Sequence, residues 1–334
     1  MHKCSIVFIL WLSLFSFMLN AAEPPGAELY QRSKTLIVQS PQQVAENYQQ
    51  ISNQLPQAPA WYQRDWYLLA ARAYAATSQF DQARQLLVLA DALVPQGLTA
   101  GDIAMTAGYV TYLQQYRHSA RSWFLCADKF SHPPESRAKL LLNLGIVEVF
   151  AGDFKSALTH YQQGLELAEQ HHFDMLIAMY QNNMGTLHWR MGQYEPAIQA
   201  LRQASFGYAR LNNTISQSRA GINLLNVLAT IEDWERYQRF YPSIAVAVKA
   251  SDHQEFATML QILEAVRQRF SGKNSELSDS ALKAHMASLI TVNLQQMAQL
   301  LAEKIKLDWR APPVPVEPAD ITLTLPNTEQ LCQD

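Results

Sequence analysis

Apolar positions recur along most of this chain with the spacing of an amphipathic helix, and short polar turns separate the helical stretches. Two stretches, residues 144–161 and 184–201, carry one pattern forty residues apart. Each has a glycine in a first helix, a glycine in the turn, an aromatic residue that opens a second helix, and an alanine three positions later. A fixed period of this size predicts stacked helical hairpins, each covering the apolar face of its neighbour.

The small residues of this pattern have distinct predicted roles. We expect the glycine of the first helix to lie where the two helices of a hairpin approach most closely, and the turn glycine to adopt a positive φ. We expect the alanine to be small because the next hairpin crosses there. The matching pairs are Gly145 and Gly185, Gly152 and Gly192, Phe154 and Tyr194, and Ala157 and Ala197.

Weaker copies extend the pattern in both directions. A degenerate opening hairpin is predicted at 26–56, and a solenoid of about five repeats at 64–251. The repeats step by 37 residues (64 to 101 to 138) and then by 40 (138 to 178 to 218). The order of residue types resembles the tetratricopeptide repeat (TPR). The longer step resembles the TPR subgroup of MalT-type activators, kinesin light chains and bacterial peptide-responsive regulators.

This resemblance implies an all-α fold: a right-handed superhelical α-solenoid of TPR-like helical hairpins, closed by a long C-terminal capping helix. Capping helices are predicted at 252–308, with one helix at Gln254–Phe270 and one long helix from Ser278 or Ser280 to about Lys306. A dimer-forming role for the long helix is the alternative. The Pro-rich tail, 309–334, is predicted to be disordered or to lie on the surface.

The N-terminus and the composition bear on location and partners. A short basic start, an apolar run and small residues near Ala21 predict a signal peptide at 1–22 and a periplasmic protein without a stable membrane span. An uncleaved membrane anchor is the alternative. Cleavage would leave Cys126 and Cys332, which could form a disulfide bond or remain separate thiols. A net charge of −3 argues against a nucleic-acid surface.

Motifs of catalysis are missing from the sequence. It has no phosphate-cradling glycine loop, GxSxG, HExxH or CxxC. His171, His172 and Asp174 could be offered as metal ligands, but they lie at a junction between repeats, where polar loop residues are expected. We therefore predict that the chain is not an enzyme and has no catalytic residue, no cofactor and no metal site.

Asparagines recur on the first helices of three successive repeats, at Asn143, Asn183 and Asn223, with Asn182 and Asn226 beside them. An amide offers both a donor and an acceptor, and the TPR resemblance implies that this position faces the concave groove and holds an extended peptide. The alternative is that these amides only bond neighbouring helices. By the same register, the groove would also contain Lys139, Tyr109, Tyr112, Trp189, Arg190 and Arg219.

These features predict an exported TPR scaffold or adaptor that binds a protein or an extended peptide in its concave groove. A partner with apolar side chains and a carboxylate would suit the aromatic and cationic residues. The alternative is a sensory or regulatory input module of a bacterial signalling system, which would act through a separate partner chain. A metal-binding or enzymatic protein is the third hypothesis.

Overall fold

The computed structural model describes residues 23–94, 100–272, 275–313 and 323–333. Within these ranges the chain forms 16 α-helices, one short 3₁₀ turn and no strand, which confirms the all-α prediction. The predicted signal peptide lies outside the described residues. The chain divides into two compact units, Met1–Gln115 with Ile321–Asp334, and Tyr116–Asp320.

The helices are named here in chain order. They are α1 (Ala27–Leu36), α2 (Pro41–Ile51), α3 (Ala60–Ala76), α4 (Phe80–Asp91), α5 (Ala100–Leu113), α6 (Arg117–Asp128), α7 (Pro134–Ala151), α8 (Phe154–Gln170), α9 (Asp174–Arg190), α10 (Tyr194–Arg210), α11 (Thr214–Thr230), α12 (Trp234–Ser251), α13 (Gln254–Phe270), α14 (Asp279–Ala287), α15 (Val292–Lys304) and α16 (Pro326–Gln333).

The turn that follows the first helix of each of five repeats contains a residue with a positive φ. These residues are Ser78, Gln115, Gly152, Gly192 and Glu232, which follow one another at steps of 37, 37, 40 and 40. Only two of the five are glycine, so the hairpin geometry imposes the left-handed conformation even on residues for which it is strained. The repeat step predicted from the sequence is therefore the step of the backbone itself.

Glycines inside the helices allow close contact within a hairpin, as predicted. A Cβ added to Gly145 would lie 2.2 Å from Cε1 of Tyr161, and one added to Gly185 would lie 2.6 Å from Cγ of Leu201. The side chains of Tyr161 and Leu201 are both buried. The second helix of each hairpin therefore packs directly against the backbone of the first.

A third glycine serves the contact between hairpins and was not singled out from the sequence. A Cβ on Gly164 in α8 would lie 1.8 Å from the hydroxyl oxygen of Tyr180 in α9. That hydroxyl donates a hydrogen bond to the backbone carbonyl of Ala138 in α7. Tyr180 thus ties two successive repeats together, because its ring crosses one helix and its hydroxyl reaches another.

The first helices form the inner row of the second unit. Across residues 134–270, all of which the structure describes, each of α7, α9 and α11 contacts the next first helix, up to α13. The second helices α8, α10 and α12 make few or no contacts with one another. A row of helices that stays in contact lies on the inside of a curved stack, so these first helices provide the inner face of this unit.

The predicted long C-terminal helix is instead two helices. The chain leaves α14 after Ala287 and enters α15 at Val292. Between them, the backbone N–H groups of Ile290 and Thr291 donate to the carboxylate of Glu255 at 2.7 and 2.8 Å, and the Thr291 hydroxyl donates to it at 2.7 Å. The prediction of one helix was wrong because this carboxylate, 35 residues away, takes bonds that a continuous helix would make internally.

The sequence left the tail either disordered or lying on the surface, and the chain forms a helix where the structure describes its end. Residues 326–333 form α16, which packs against α4 and α5 within the first unit. Buried Asp91 accepts bonds from the backbone N–H groups of Asn327 and Thr328 at 3.2 and 2.8 Å, and from the Thr328 hydroxyl at 2.5 Å. A carboxylate from α4 therefore caps the N-terminus of α16.

Candidate peptide-binding face

The inner face of the second unit presents two equivalent asparagines on α7 and α9. Asn143 and Asn183 are forty residues apart, and both are half-buried. The Nδ2 group of Asn183 donates to the carbonyl of Met179 in its own helix at 2.8 Å. The oxygen of this amide accepts no hydrogen bond from the described residues, so an acceptor is what Asn183 can offer to a ligand.

The asparagines of α11 are placed differently. Asn223 is 4% exposed, and its Nδ2 group donates to Oδ1 of Asn182 in α9 at 3.2 Å. Asn226 is 1% exposed, and neither atom of its amide has a hydrogen-bond partner among the described residues. The sequence-based alternative, in which the amides bond neighbouring helices, therefore describes the Asn182–Asn223 pair.

Three predicted cations lie on the first helices with different surroundings. Lys139 of α7 is half-buried and pairs with Glu135, one turn before it, at 2.5 Å. Arg190 is exposed at the end of α9, and Arg219 is exposed on α11 with its guanidinium 6.0 Å from the ring of Phe256. The two arginines give this face a positive charge that a carboxylate would match.

The predicted aromatic residues do not share one environment. Trp189 is half-buried and packs against an apolar cluster built from α10 to α15. Tyr109 and Tyr112 lie on α5, which belongs to the first unit, and both are half-buried. The guanidinium of Arg72 lies 5.7 Å from the Tyr109 ring, and burial raises the pKa of this tyrosine above its usual value.

Sequence reasoning missed the position of α15. This helix contacts both α11 and α13. Five of its apolar residues are at most 4% exposed, whereas Leu300 is 45% exposed: Leu294, Met297, Ala298, Leu301 and Ala302 are the buried ones. Its ends meet the first helices and their turns: Asn293 accepts a bond from Arg190 at 3.4 Å, and Lys304 pairs with Glu232 at 2.7 Å. The apolar spacing of α15 predicted a cap, but nothing in it showed that the helix would cover the inner face.

We also searched the described residues for metal ligands and for helices that could span a membrane. The described residues contain no cluster of three or more histidine, cysteine, aspartate or glutamate side chains that could hold a metal ion. His171 stacks on Phe173 at 5.5 Å, and His172 has a φ of 54° in the turn between α8 and α9. In the described ranges, no helix combines the length and the apolar character that crossing a bilayer requires.

Comparisons with known proteins agree with this architecture. The tetratricopeptide repeat family model matches residues 136–205, which span α7 to α10. A cattle (Bos taurus) Tonsoku-like protein is 29% identical over 102 residues, and the match covers 30% of this chain but only 7% of that protein.

Two solved Rap proteins are similar in fold. One, in complex with Competence and Sporulation Factor, has a TM-score of 0.65 at 14% identity, with 91% of this chain and 81% of that chain covered. The other, the Rap conjugation gene regulator of plasmid pLS20 in complex with the Phr* peptide, has a TM-score of 0.57 at 16% identity, with 93% of each chain covered. The chain therefore carries TPR-type repeats within an all-helical, TPR-like solenoid fold.

Proposed function

We propose that this chain is an exported scaffold that binds a segment of a partner protein along the inner face of α7 and α9. The observation that carries the proposal is the pair of equivalent amides, Asn143 and Asn183, on the part of that face that α15 leaves uncovered. Arg190 adds an exposed cation at the end of α9. Amides can bond a peptide backbone of any sequence, and the cation favours an acidic side chain or a terminal carboxylate.

Two observations support this proposal. The two Rap proteins of similar fold were each solved with a peptide or factor bound, so a solenoid of this kind can hold such a ligand. Both Cys126 and Cys332 are in the disulfide-bonded state. Disulfides persist in oxidising compartments, which supports export to the periplasm.

The test is a double variant, Asn143→Ala with Asn183→Ala, used as bait against the envelope fraction of cells that express the protein. The matched control is Gln163→Ala with Gln203→Ala, two exposed amides that are also forty residues apart but lie on the second helices α8 and α10. We expect quantitative mass spectrometry to show one partner lost from the asparagine variant and kept by the control. Equal recovery by both variants, with unchanged melting temperatures, would contradict the proposal.

A regulatory input module is the second candidate function. One Rap protein of similar fold is a conjugation gene regulator, and it was solved with a peptide bound. In this function, the captured partner would carry a signalling output domain and would change its activity on binding. Identification of the partner in the same experiment separates this function from that of a scaffold, whose partner would be an assembly component or a cargo protein.

A further inference from the structure

The helix α15 folds back over the inner row instead of extending it. It contacts α13 and also α11, which belongs to the repeat before. Among the first helices, a helix that continued the stack would contact only α13, because each repeat of a solenoid touches only its neighbours. Thus α15 lies on the inner face, in the place that a ligand of this face would take.

A buried polar side chain lies on one of the two helices that α15 covers. Asn226 belongs to α11, one of the two helices that α15 covers, and its buried amide lacks any hydrogen-bond partner in the described residues. An apolar residue would serve a permanent cap better, because a buried amide without bonds is destabilising. A helix that covered α11 and carried a donor and an acceptor for this amide would remove that cost.

The contacts that hold the ends of α15 are polar and partly exposed. Glu255 accepts three bonds from Ile290 and Thr291, at 2.7 to 2.8 Å, and the ammonium of Lys304 lies 2.7 Å from the carboxylate of Glu232. These contacts can open without disturbing the stacked hairpins. Between them, an apolar stripe faces the cluster: Leu294, Met297, Ala298, Leu301 and Ala302.

We propose that α15 is an intramolecular ligand, and that an amphipathic helix of a partner protein binds α11 and α13 after displacing it. The competing helix needs apolar residues at the spacing of the α15 stripe, because it must bury the same cluster. This inference rests on the proposed function, since it gives the partner a second contact on the same inner face. The two are tested by different residues.

The experiment measures binding of a labelled synthetic peptide with the sequence of residues 292–306, which lacks the Thr291 that bonds Glu255, to the full-length chain by fluorescence anisotropy. In the wild type, the tethered α15 competes at an effective concentration of millimolar order. We expect Glu255→Ala to bind the peptide roughly tenfold more tightly, because it loses charge-assisted bonds. Lys304→Glu, which breaks one exposed ion pair, should give roughly a threefold gain.

The matched control is Arg239→Glu, which breaks the exposed pair of Arg239 with Glu235 inside α12 and should leave peptide binding at the wild-type level. Hydrogen exchange in Glu255→Ala should be faster in α15 than in α13. If that variant fails to fold, Lys304→Glu decides the question by the same measurements. The inference would be overturned if neither Glu255→Ala nor Lys304→Glu bound the peptide, or if hydrogen exchange had the same rate in α15 and α13. Either result would leave the test with Asn143 and Asn183 unaffected.

Discussion

Single residues decide how closely the hairpins can stack. The roles of Gly145 and Gly152 were predictable from the sequence, because both depend on contacts within one hairpin and the period exposes them. Gly152 has a φ of 79° with no atom within 4 Å of an added Cβ, whereas Gly145 has no room for one. Gly164 could not be recognised in this way, because its partner Tyr180 belongs to the next hairpin.

Gly145→Ala should destabilise the protein by about 1–3 kcal/mol, because the added Cβ must push the buried ring of Tyr161 aside. The control is Gly192→Asn, since asparagine tolerates a positive φ and an added Cβ at Gly192 meets no atom within 4 Å. Urea unfolding followed by circular dichroism measures the stability of both variants. Similar midpoints for the two variants would show that the ring moves without cost.

Asn226→Leu should raise the free energy of unfolding by about 1–3 kcal/mol, because it removes a buried amide that has no hydrogen-bond partner among the described residues. Asn223→Leu is the matched control three positions earlier in the same helix, and it should destabilise the protein because it breaks the bond to Asn182. Thermal unfolding measures the stability of both variants relative to the wild type. Destabilisation by both substitutions would mean that the Asn226 amide is satisfied in the protein.

At the scale of elements, the helices of the repeats were predictable, but the hydrogen bonds between segments far apart in the sequence were not. Helix α13 has the predicted bounds, Gln254–Phe270, because its apolar stripe and its flanking polar residues are local signals. The break between α14 and α15 depends on Glu255, and the order of α16 depends on Asp91, 237 residues before Thr328. A carboxylate that caps a distant segment leaves no periodic trace in the sequence.

Asp91→Ala should release α16, because it removes the acceptor of three hydrogen bonds at the start of that helix. We expect faster hydrogen exchange and faster proteolysis at residues 326–333, with α4 itself unchanged. The control is Asp81→Ala on the same helix, whose exposed carboxylate pairs only with Arg84 in the described contacts. Unchanged protection of α16 in Asp91→Ala would contradict this role of Asp91.

Arg236 links successive second helices, and its effect on stability should depend on pH. Its guanidinium donates to Glu195 at 2.6 and 2.8 Å, and these bonds hold the pKa of Glu195 below its usual value of 4.5. The pKa of Asp233 is also lowered, first by the backbone N–H of Arg236 and then by its side chain. A carboxylate whose pKa is lower in the folded state than in the unfolded state stabilises the folded protein at any pH above its usual pKa. This stabilisation is lost as the pH falls through the folded-state pKa.

Arg236→Gln should therefore lower the free energy of unfolding most at pH 7. The decrease should be less than about 1 kcal/mol, because the ion pair is exposed. The difference from the wild type should begin to shrink below pH 4.5, the usual pKa of Glu195, and should shrink further below pH 3.8, the usual pKa of Asp233. The control is Arg239→Gln, whose pair with Glu235 lies within α12. Urea unfolding at several pH values measures the difference, and a difference that stays constant down to pH 3 would contradict the assignment.

At the scale of the molecule, stacking of the hairpins makes the inner face, and the C-terminal helices decide how much of it is open. The repeat period predicted the inner row, but it could not show that α15 packs on α11 and α13 and reaches α9 at Arg190, at the end of that helix. This placement depends on where the chain goes after its last full hairpin. It moves the candidate site from all three recurring asparagines to Asn143 and Asn183.

The central claim is that a partner segment docks on the open part of the inner face. Its most direct test is a photo-crosslinking amino acid placed at Lys139 on α7, which leaves Asn143 and Asn183 intact, and, in a separate protein, at exposed Phe206 on the second helix α10. We predict one adduct of defined mass from position 139, weakened by Arg190→Glu, and none from position 206. The same adduct from both positions, or none from position 139, would contradict the claim.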